Sequence, residues 1–290
     1  MAQNDLTTLT AVKQYAQTTG AGGSGDDALI SSLITPASQS VITHLNRRAI
    51  IAGPRKDVFT GRGGYLLGNS RALRYQPVIS VQSLMIDGCL VPPIPPTTAP
   101  VGSGWSLDPW DGSLPGSVQF LRLSGYAFTV NTFPNNCTVE YTAGYQNIEE
   151  WQVPGSPFHI TPQSPQGLLL QDNGVSYANT GAALQAVASA PALGQYVPPN
   201  PLAAASPAAY YTFNSGDAGN FVNISYSFCP SAIEMAVRMW VADMYKYRSR
   251  IGERSQSQGG VQTSSYIVQD MPDVVKFALR PFENINFLPQ

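Results

Sequence analysis

The chain has 290 residues, a formal net charge of −2, 43% hydrophobic residues and only 12% charged residues. No excess of Lys and Arg is available to neutralise a phosphate backbone, which argues against a dedicated nucleic-acid-binding protein. The 26 glycines and 24 prolines favour many short strands and turns over long surface helices. The length is typical of one or two domains.

Three cysteines, Cys89, Cys137 and Cys229, are scattered and form no C-x-x-C pair. Such a set predicts buried free thiols, and neither a disulfide framework nor a zinc site. The opening "MAQNDLTTLTAVKQ" lacks the basic and apolar regions of a signal peptide, and no apolar run reaches about 18 residues. We therefore expect a protein that is made and kept in a cytoplasm-like compartment, without a membrane span.

Two helical patterns begin the chain. In the first, apolar residues recur at helical spacing from Leu6 to Tyr15. Asp26 is a good N-cap for the second. Pro36 lies inside this second pattern and predicts a kink or a break near Thr35, because the proline ring removes a backbone donor and clashes with the previous turn. Every fourth residue of the second pattern is apolar: Leu29, Leu33, Ala37, Val41 and Leu45.

From about Arg55 the apolar period changes to two. Glycine, proline, asparagine and aspartate separate four β-rich runs: "DVFTGRGGYLLG", "PVISVQSLMIDGCLV", "GSVQFLRLSGYAFTV" and "CTVEYTAGY". These runs predict an antiparallel meander over residues 51–146, with a tight "IDG" turn at 86–88. Residues 92–117 are rich in turn-forming residues and predict a long surface loop.

A second β-rich section extends to Phe228 and contains "GLLLQDNGVSYA" and "AYYTFNSGDAGNFVNISYSF". In it, "DNG" at 172–174 and "SGDAGN" at 215–220 predict tight turns, and several aromatic residues supply the bulk that a small sheet needs. We interpret residues 147–228 as a separate small β module.

Helical periodicity returns after Pro230. Ser231 and Glu234 form an S-x-x-E capping box. The segment "MPDVVKFALRPFE" (271–283) predicts a short final helix. In the first of these helices, apolar residues follow at three- and four-residue steps: Ile233, Ala236, Val237, Trp240 and Met244.

The predicted fold class is α+β. It combines a small helical core of about four helices (1–50 and 229–290), an antiparallel β meander (51–146) and a second, inserted β module (147–228). The insertion is inferred because "VEYTAGYQ" (139–146) has nearly the same pattern as "VNISYSFC" (222–229), and a helix follows only the second copy. An inserted domain must leave and re-enter its host at neighbouring points, and a strand that mimics the interrupted one is a simple way to do so.

With residues 147–228 set aside, an ordered set of segments remains: "LTTLTAVKQYA", "DDALISSLITPASQSVITHLNRR", "FTGRG", "LRYQPVISVQSLMIDG", "VEYTAGY" and "PSAIEMAVRMWVADMYKYRSRIGE". This set resembles the head-tail adaptor (connector) proteins of tailed bacteriophages. The most specific parts are the "Y-x-AGY" strand and the "P-x-A-I-x-x-A-V" helix. Two features depart from the family pattern, namely Pro36 and the module at 147–228.

The resemblance implies a virion protein of the phage neck, assembled in the host bacterial cytoplasm. Its implied form is a homo-oligomeric ring, a dodecamer, between portal and tail, which lines the DNA ejection channel. The implied partners are the portal protein ring and a tail or tail-nozzle protein. DNA would pass without sequence-specific binding, and no membrane would take part. By analogy, the helical core would dock on the portal and the β parts would face the tail or the outside.

The residues form no recognisable catalytic or metal-binding constellation. His44 and His159 stand near no carboxylate or cysteine at ligand spacing. The "GRGG" at 61–64 lacks the G-K-[ST] of a phosphate loop. We expect no enzymatic activity, no metal site and no cofactor.

The candidate interface, with the portal or with a neighbouring subunit, lies in the last fifty residues. Its basic residues either oppose the dipole of the preceding helix or pair with carboxylates of another subunit. An apolar island in the following polar segment predicts a strand or clamp added to an adjacent chain. The candidate residues are Tyr245, Lys246, Arg248, Arg250, Arg254, Tyr266, Ile267, Val268, Phe282 and Phe287.

An alternative from another class is a β-rich tail adhesion or carbohydrate-binding protein, in which residues 147–228 bind the ligand. Trp105, Trp110 and Trp151 could then stack on sugars, although packing under a loop is the commoner use of such residues.

Overall fold

The computed structural model describes residues 5–16, 24–46, 49–61, 69–94, 102–109, 118–128, 135–162, 167–200, 210–247, 255–258, 262–265 and 271–283. This part of the chain contains sixteen strands and four α-helices, and the helices are confined to the two ends of the chain. The predicted α+β fold with a small helical core is therefore wrong. The alternating, glycine-rich central sequence forms fourteen of the sixteen strands, so the protein is mainly β.

The four helices are α1 (Leu9–Ala16), α2 (Ser24–His44), α3 (Ser231–Tyr247) and α4 (Asp273–Leu279), and a 3-10 turn (Arg280–Phe282) follows α4. The pattern that predicted α3 is confirmed, because Ile233, Ala236, Val237 and Trp240 are buried and Met244 is partly buried. The predicted break in α2 is wrong: the helix continues through Pro36. Buried Ile34 and Ala37 hold both sides of the proline in the core.

The buried face of α2 also differs from the predicted stripe. A strict four-residue step drifts by about 40° per step around a helix, so a long stripe of this kind does not stay on one face. Accordingly Leu29, at the start of the predicted stripe, is 38% exposed. The buried positions mix three- and four-residue steps: Ile30, Ile34, Ala37, Val41 and Leu45.

Seven strands follow α2, and we call them the first β unit: β1 (Gly53–Phe59), β2 (Ser70–Ala72), β3 (Val78–Ile86), β4 (Cys89–Val91), β5 (Gly104–Asp108), β6 (Phe120–Ser124) and β7 (Cys137–Ala143). They form two antiparallel sheets with orders β1-β7-β3-β4 and β2-β6-β5. The predicted meander is wrong because β7 returns to the middle of its sheet. The "IDG" turn is confirmed, with Asp87 and Gly88 at positive φ. The predicted loop at 92–117 includes the edge strand β5.

Seven further strands form the second β unit: β8 (Gln146–Gln152), β9 (His159–Ile160), β10 (Gly167–Tyr177), β11 (Gln185–Ala186), β12 (Gln195–Val197), β13 (Tyr211–Phe213) and β14 (Phe221–Pro230). Its sheets have orders β10-β14-β8 and β11-β12-β13-β9. The turn predicted at 172–174 is wrong, since "DNG" lies inside β10 at an irregularity of the strand. The "SGDAGN" segment does turn, through a 3-10 helix (Ser215–Asp217).

After α3, the strands β15 (Ser255–Gln258) and β16 (Gln262–Ser265) pair with each other in a two-stranded sheet, and with no other strand that the structure describes. We call this pair the hairpin arm. Within the described residues, no helix is both long and apolar enough to cross a membrane.

The two β units have the same topology. In each, the last strand (β7 or β14) lies between the first (β1 or β8) and the third (β3 or β10). In the first unit, β4 brings Val91 beside Leu84 of β3. In the second, a hairpin after β10 brings the Leu184 N–H within 2.8 Å of the Val175 carbonyl. The arrangement of the three main strands therefore occurs twice along the chain, and a short bridged segment beside β10 takes the place of β4.

The smaller sheets correspond as well. The antiparallel order β2-β6-β5 matches β9-β13-β12. The parallel bridge between Pro93 and Trp105 matches the parallel pair β11–β12, in which Ala186 lies beside Tyr196. Six strands of each unit thus have a counterpart in the other, and β4 and β11 each correspond to a short bridged segment.

The strand register is repeated residue by residue. The pairing of β3 with β7 shifts after Val78 and after Val81, and the pairing of β10 with β14 shifts after Leu169 and after Asp172. When Tyr141 of β7 is matched with Tyr226 of β14, both shifts fall at the same positions of the central strand. Irregularities of this kind are conserved features of a strand pairing, so their coincidence marks a structural repeat.

Matched positions also make matched contacts. Tyr141 Oη donates to Asp57 Oδ2 on β1 at 3.0 Å, and Tyr226 Oη donates to Glu149 Oε1 on β8. In both units the carboxylate lies two positions beyond the residue opposite the tyrosine.

A second matched contact lies at the second register shift of each sheet. Gln82 Nε2 donates to Thr142 Oγ1 at 2.6 Å, and Asn173 Nδ2 donates to Ser227 Oγ at 2.9 Å. The two amides occupy the residue that the second register shift skips, and the two hydroxyls occupy the same position of the central strand.

The buried apolar residues form two clusters. One lies within residues 49–143 and fills the first β unit. The other joins the second β unit to all four helices and to the start of the chain at Leu6. The connections at the edges of the units are also joined: Ala52 N–H, just before β1, bonds Ser227 Oγ of β14 (3.1 Å), and Tyr145 N–H, between β7 and β8, bonds the Ile50 carbonyl (3.0 Å). The domain boundaries given above stay a prediction.

Candidate interface

The helices form one layer, which we call the helical layer, with α3 at its centre in contact with α1, α2 and α4. Ion pairs and a hydrogen bond join elements that are distant in sequence. Tyr245 Oη donates to Asp26 Oδ2 at 2.7 Å, and Lys13 Nζ lies 2.8 Å from Asp27 Oδ1. The start of α2 is thus tied to both α1 and the end of α3.

The other end of α2 is held by the C-terminal segment. His44 Nε2 lies 2.9 Å from Glu283 Oε1, a pairing between residues so distant in sequence that ligand spacing could not reveal it. Together these contacts fix the two ends of the chain against each other.

The structure describes three of the ten predicted interface residues. Tyr245 and Phe282 are only 7% and 6% exposed and pack inside the helical layer, whereas Lys246 is exposed. Burial of the first two ties them to the chain's own core. The interface role stays a prediction for all ten residues, and seven of them lie outside the described part: Arg248, Arg250, Arg254, Tyr266, Ile267, Val268 and Phe287.

The most exposed apolar side chains of the helical layer lie on α4. Val274 is 62% exposed and Phe277 is 75% exposed, while Val275 and Leu279 of the same helix are buried. The sequence carried a signal for these two residues, because they are apolar yet fall off the buried stripe. An exposed aromatic next to an exposed valine is the kind of surface that a partner covers.

A polar network lies in the core of the second β unit. Asp172 of β10 accepts hydrogen bonds from Tyr196 Oη (2.6 Å) and Tyr211 Oη (3.0 Å). Both tyrosines are almost fully buried. Burial, and next the Asp172 carboxylate, raise the pKa of Tyr196 and Tyr211 far above the usual tyrosine value.

A similar contact closes the turn before β14. Fully buried Asp217 accepts from Tyr177 Oη (2.5 Å) and from Gly194 N–H (3.2 Å). Burial and the hydrogen bond to Asp217 raise the pKa of Tyr177 to about 12. In the first unit, burial raises the pKa of Tyr141, which bonds Asp57.

These tyrosine–carboxylate pairs are structural. A phenol with a raised pKa stays protonated at neutral pH, so it donates a hydrogen bond and supplies neither a nucleophile nor a base. The tyrosine hydroxyls in turn hold the carboxylates in place through these hydrogen bonds. Among the residues that the structure describes, no three His, Cys, Asp or Glu side chains converge as a metal site would require.

The tryptophans that the alternative hypothesis invoked are packed. Trp105 packs partly buried against the core of the first unit. Trp151 packs against the other core, and its Nε1 donates to Glu149 Oε2 at 2.8 Å. Trp110 lies outside the described residues. These contacts favour a packing role for the two described tryptophans.

The three cysteines are free thiols. Cys137 and Cys229 are buried and Cys89 is exposed, so the prediction of buried thiols is confirmed for two of the three. Burial raises the pKa of the Cys229 thiol, which keeps it protonated and unreactive.

No family model matches the sequence. No curated protein matches it either. Two solved structures are similar to half of the chain. One is a chain from the neck of an empty GTA (gene transfer agent) particle computed with C6 symmetry, with a TM-score of 0.32 and 20% identity over 50% of this chain and 67% of that chain. The other is from the neck of a native GTA particle computed with C12 symmetry, with a TM-score of 0.27 and 18% identity over 50% and 70% of the two chains.

Proposed function

We propose that the protein is a structural component of the neck of a phage-like particle, and more specifically a head-tail adaptor that forms a ring between portal and tail. The proposal assigns it no enzymatic activity. The observation that carries it is the ordered set of adaptor-like segments in the sequence. The similarity to chains from GTA necks agrees with the proposal.

The placement of those segments supports the proposal. "DDALISSLITPASQSVITH" forms most of α2, "VEYTA" forms the end of β7, and "SAIEMAVRMWVADMYKY" forms α3. α2 and α3 pack together and are tied by the bond from Tyr245 to Asp26. A ring subunit needs a rigid body of this kind to present the same surfaces to both neighbours.

In this proposal the helical layer docks on the portal, and the β units face the tail or the outside of the particle. The exposed pair Val274 and Phe277 lies on the docking layer. The near-neutral chain suits a channel through which DNA slides, because a strongly basic wall would hold the phosphate backbone.

The test is the native mass of the purified protein, alone and mixed with portal rings, followed by particle images. The proposal expects closed rings that form alone or on the portal. A small closed oligomer that ignores the portal would contradict it and would favour the adhesion alternative.

A charge-reversed variant, Arg248→Glu with Arg250→Glu, is expected to abolish ring assembly if the basic cluster meets carboxylates of another subunit. Arg122→Glu is the matched control. It reverses another exposed cation, on β6, and is expected to assemble normally. Normal assembly of both variants would leave the basic cluster as residues that only oppose the helix dipole.

A further inference from the structure

The strand β8 has a free edge. It pairs with β14 on one side and, among the described residues, with no strand on the other. Val153 N–H bonds the Asn220 carbonyl, and Phe228 N–H bonds the Tyr145 carbonyl. Odd-numbered residues of β8 therefore face β14, and the N–H and C=O groups of the even-numbered residues from Gln146 to Gln152 face outward.

The matched edge in the first β unit is protected. By the same register, the outward residues of β1 are Pro54, Lys56 and Val58. Proline removes a donor, and an edge lysine resists the approach of another strand, which are two common ways to block edge pairing. β8 carries neither. At the positions that match these three residues it has Gln146, Ile148 and Glu150.

Two features of the β8 edge affect how easily another strand can pair with it. Ile148 is 63% exposed. Among the described residues, its N–H bonds the side chain of its own neighbour, at 3.0 Å from Asn147 Oδ1, and an incoming carbonyl can take that place. Glu150 is also exposed and adds a negative charge to the edge.

The β8 edge can accept another strand, whereas the hairpin arm is a strand pair that belongs to no larger sheet among the described residues. Its strands, "SQSQ" and "QTSS", pair over four residues each. They contain one β-branched residue and no aromatic residue, so their strand propensity is low. An isolated two-stranded hairpin is marginally stable in water, and addition to a sheet stabilises it. In sequence, Arg254 comes directly before β15 and adds a positive charge to that end of the arm.

We propose that the hairpin arm of one chain adds to the free edge of β8 in the next chain. This contact is heterologous, and its repetition builds a ring where the rotation between neighbouring subunits closes. The inference rests on the proposed ring, and it names the contact that links neighbouring subunits. The order of strands across the contact becomes β10-β14-β8 followed by the arm of the neighbour.

A cross-linking experiment between two full-length variants tests this contact. Both carry Cys89→Ser, which removes the one exposed thiol among the described residues. One adds Ile148→Cys and the other adds Thr263→Cys, and a short bismaleimide links them, with and without portal rings. We expect covalent dimers in the mixture and not in either variant alone.

A pair of proline variants gives a second readout. Glu150→Pro removes one outward donor from β8 and leaves the bonds to β14 intact, whereas Val58→Pro makes the same change at the matched position of β1. We expect Glu150→Pro to raise the protein concentration at half-assembly by about tenfold or more. Val58→Pro is expected to leave it unchanged, and Glu150→Gln separates the effect of the lost charge.

The outcomes distinguish this contact from the ring itself. Rings that form without cross-links, or that form equally well with Glu150→Pro, overturn the contact and leave the proposed function standing. Covalent dimers that form equally well in either variant alone also overturn it. If no rings and no cross-links form under any condition, the contact and the proposed function fall together.

Discussion

The two β units use the same strand topology with different chemistry in the core. At the position of Asp172 in the second unit, the first has Val81, since both lie directly before the second register shift. The partners of Asp172 differ in the same way: Tyr196 takes the place of Trp105 and Tyr211 that of Leu121. One unit is therefore apolar where the other is a hydrogen-bonded network. Strand pairing and register define this fold, and several core chemistries satisfy it.

The surroundings of the units differ as well. The first unit has a core of its own, whereas the core of the second is continuous with the helical layer. The edge of β1 is protected by Pro54 and Lys56, and the edge of β8 is not. The second unit thus carries both the connection to the helices and the edge proposed for the next subunit.

The largest effect is expected from breaking the polar network. Asp172→Ala leaves two buried hydroxyls without a partner and should lower the free energy of unfolding by about 3 kcal/mol. The matched change in the first unit, Val81→Ala, should cost about 1 kcal/mol. Urea denaturation of both variants measures the difference, and equal losses would show that the network does not stabilise the second unit.

The same network allows a rescue. Asp172→Leu combined with Tyr196→Phe and Tyr211→Phe removes donors and acceptor together, which makes the core of the second unit resemble the first. The triple variant should unfold within about 1 kcal/mol of the wild type. A loss as large as that of Asp172→Ala alone would mean that packing, and not hydrogen bonding, sets the cost.

Removing the hydroxyl of either matched tyrosine should lower the free energy of unfolding by a similar amount. Tyr141→Phe and Tyr226→Phe each remove a buried hydrogen bond to a carboxylate at the same position of the repeat, and each should cost about 1.5 kcal/mol. Urea denaturation measures both losses of unfolding free energy. If they differ by well over about 0.5 kcal/mol, the two units share strand geometry but not the energy of the matched contact.

Alkaline pH should destabilise the folded protein because it ionises the tyrosines whose pKa is raised by folding. The pKa of Tyr177 is near 12 in the folded chain, above its ordinary value of 10.0. The stability gained from this shift is complete below pH 10 and is lost as the pH rises towards 12. Tyr177→Phe should therefore lose less stability than the wild type across this range. Denaturation at stepped pH, with tyrosinate absorbance as the probe, checks this, and equal losses in the two proteins would contradict it.

The smallest effects are expected at the exposed amides. Gln82→Ala and Asn173→Ala each remove a hydrogen bond made by an exposed amide side chain beside a register shift and should each cost about 0.5 kcal/mol or less. A markedly larger loss, by urea denaturation, in either variant would show that the amide maintains the irregularity itself.

The sequence predicted some of these features for clear physical reasons. The helix at Ser231–Tyr247 followed from its apolar steps, because a helix is a local structure. The turn at Asp87 followed from its Asp-Gly pair. The likeness of "VEYTAGYQ" to "VNISYSFC" was also detected, and the structure gives it a cause: each segment contributes to the central strand of its own sheet.

Other features depend on long-range pairing, which no local pattern records. The sequence similarity aligns Val139 with Val222. The strand registers instead align Tyr141 with Tyr226, which differs from the sequence alignment by two residues. The irregularity in β10 was mistaken for a turn, since "DNG" favours both a turn and a positive φ within a strand. At the candidate interface, burial of Tyr245 and exposure of Phe277 depend on how α3 and α4 pack, which periodicity alone did not decide.

The central structural claim is that the second β unit shares its core with the helical layer while the first does not. Native-state hydrogen exchange of the wild-type chain in rising urea tests it directly. Amides of α3 and β14 are expected to reach a common opening free energy, with those of β7 reaching a different one. Convergence of β7 with α3, while β14 opens separately, or of all three together, would contradict the account.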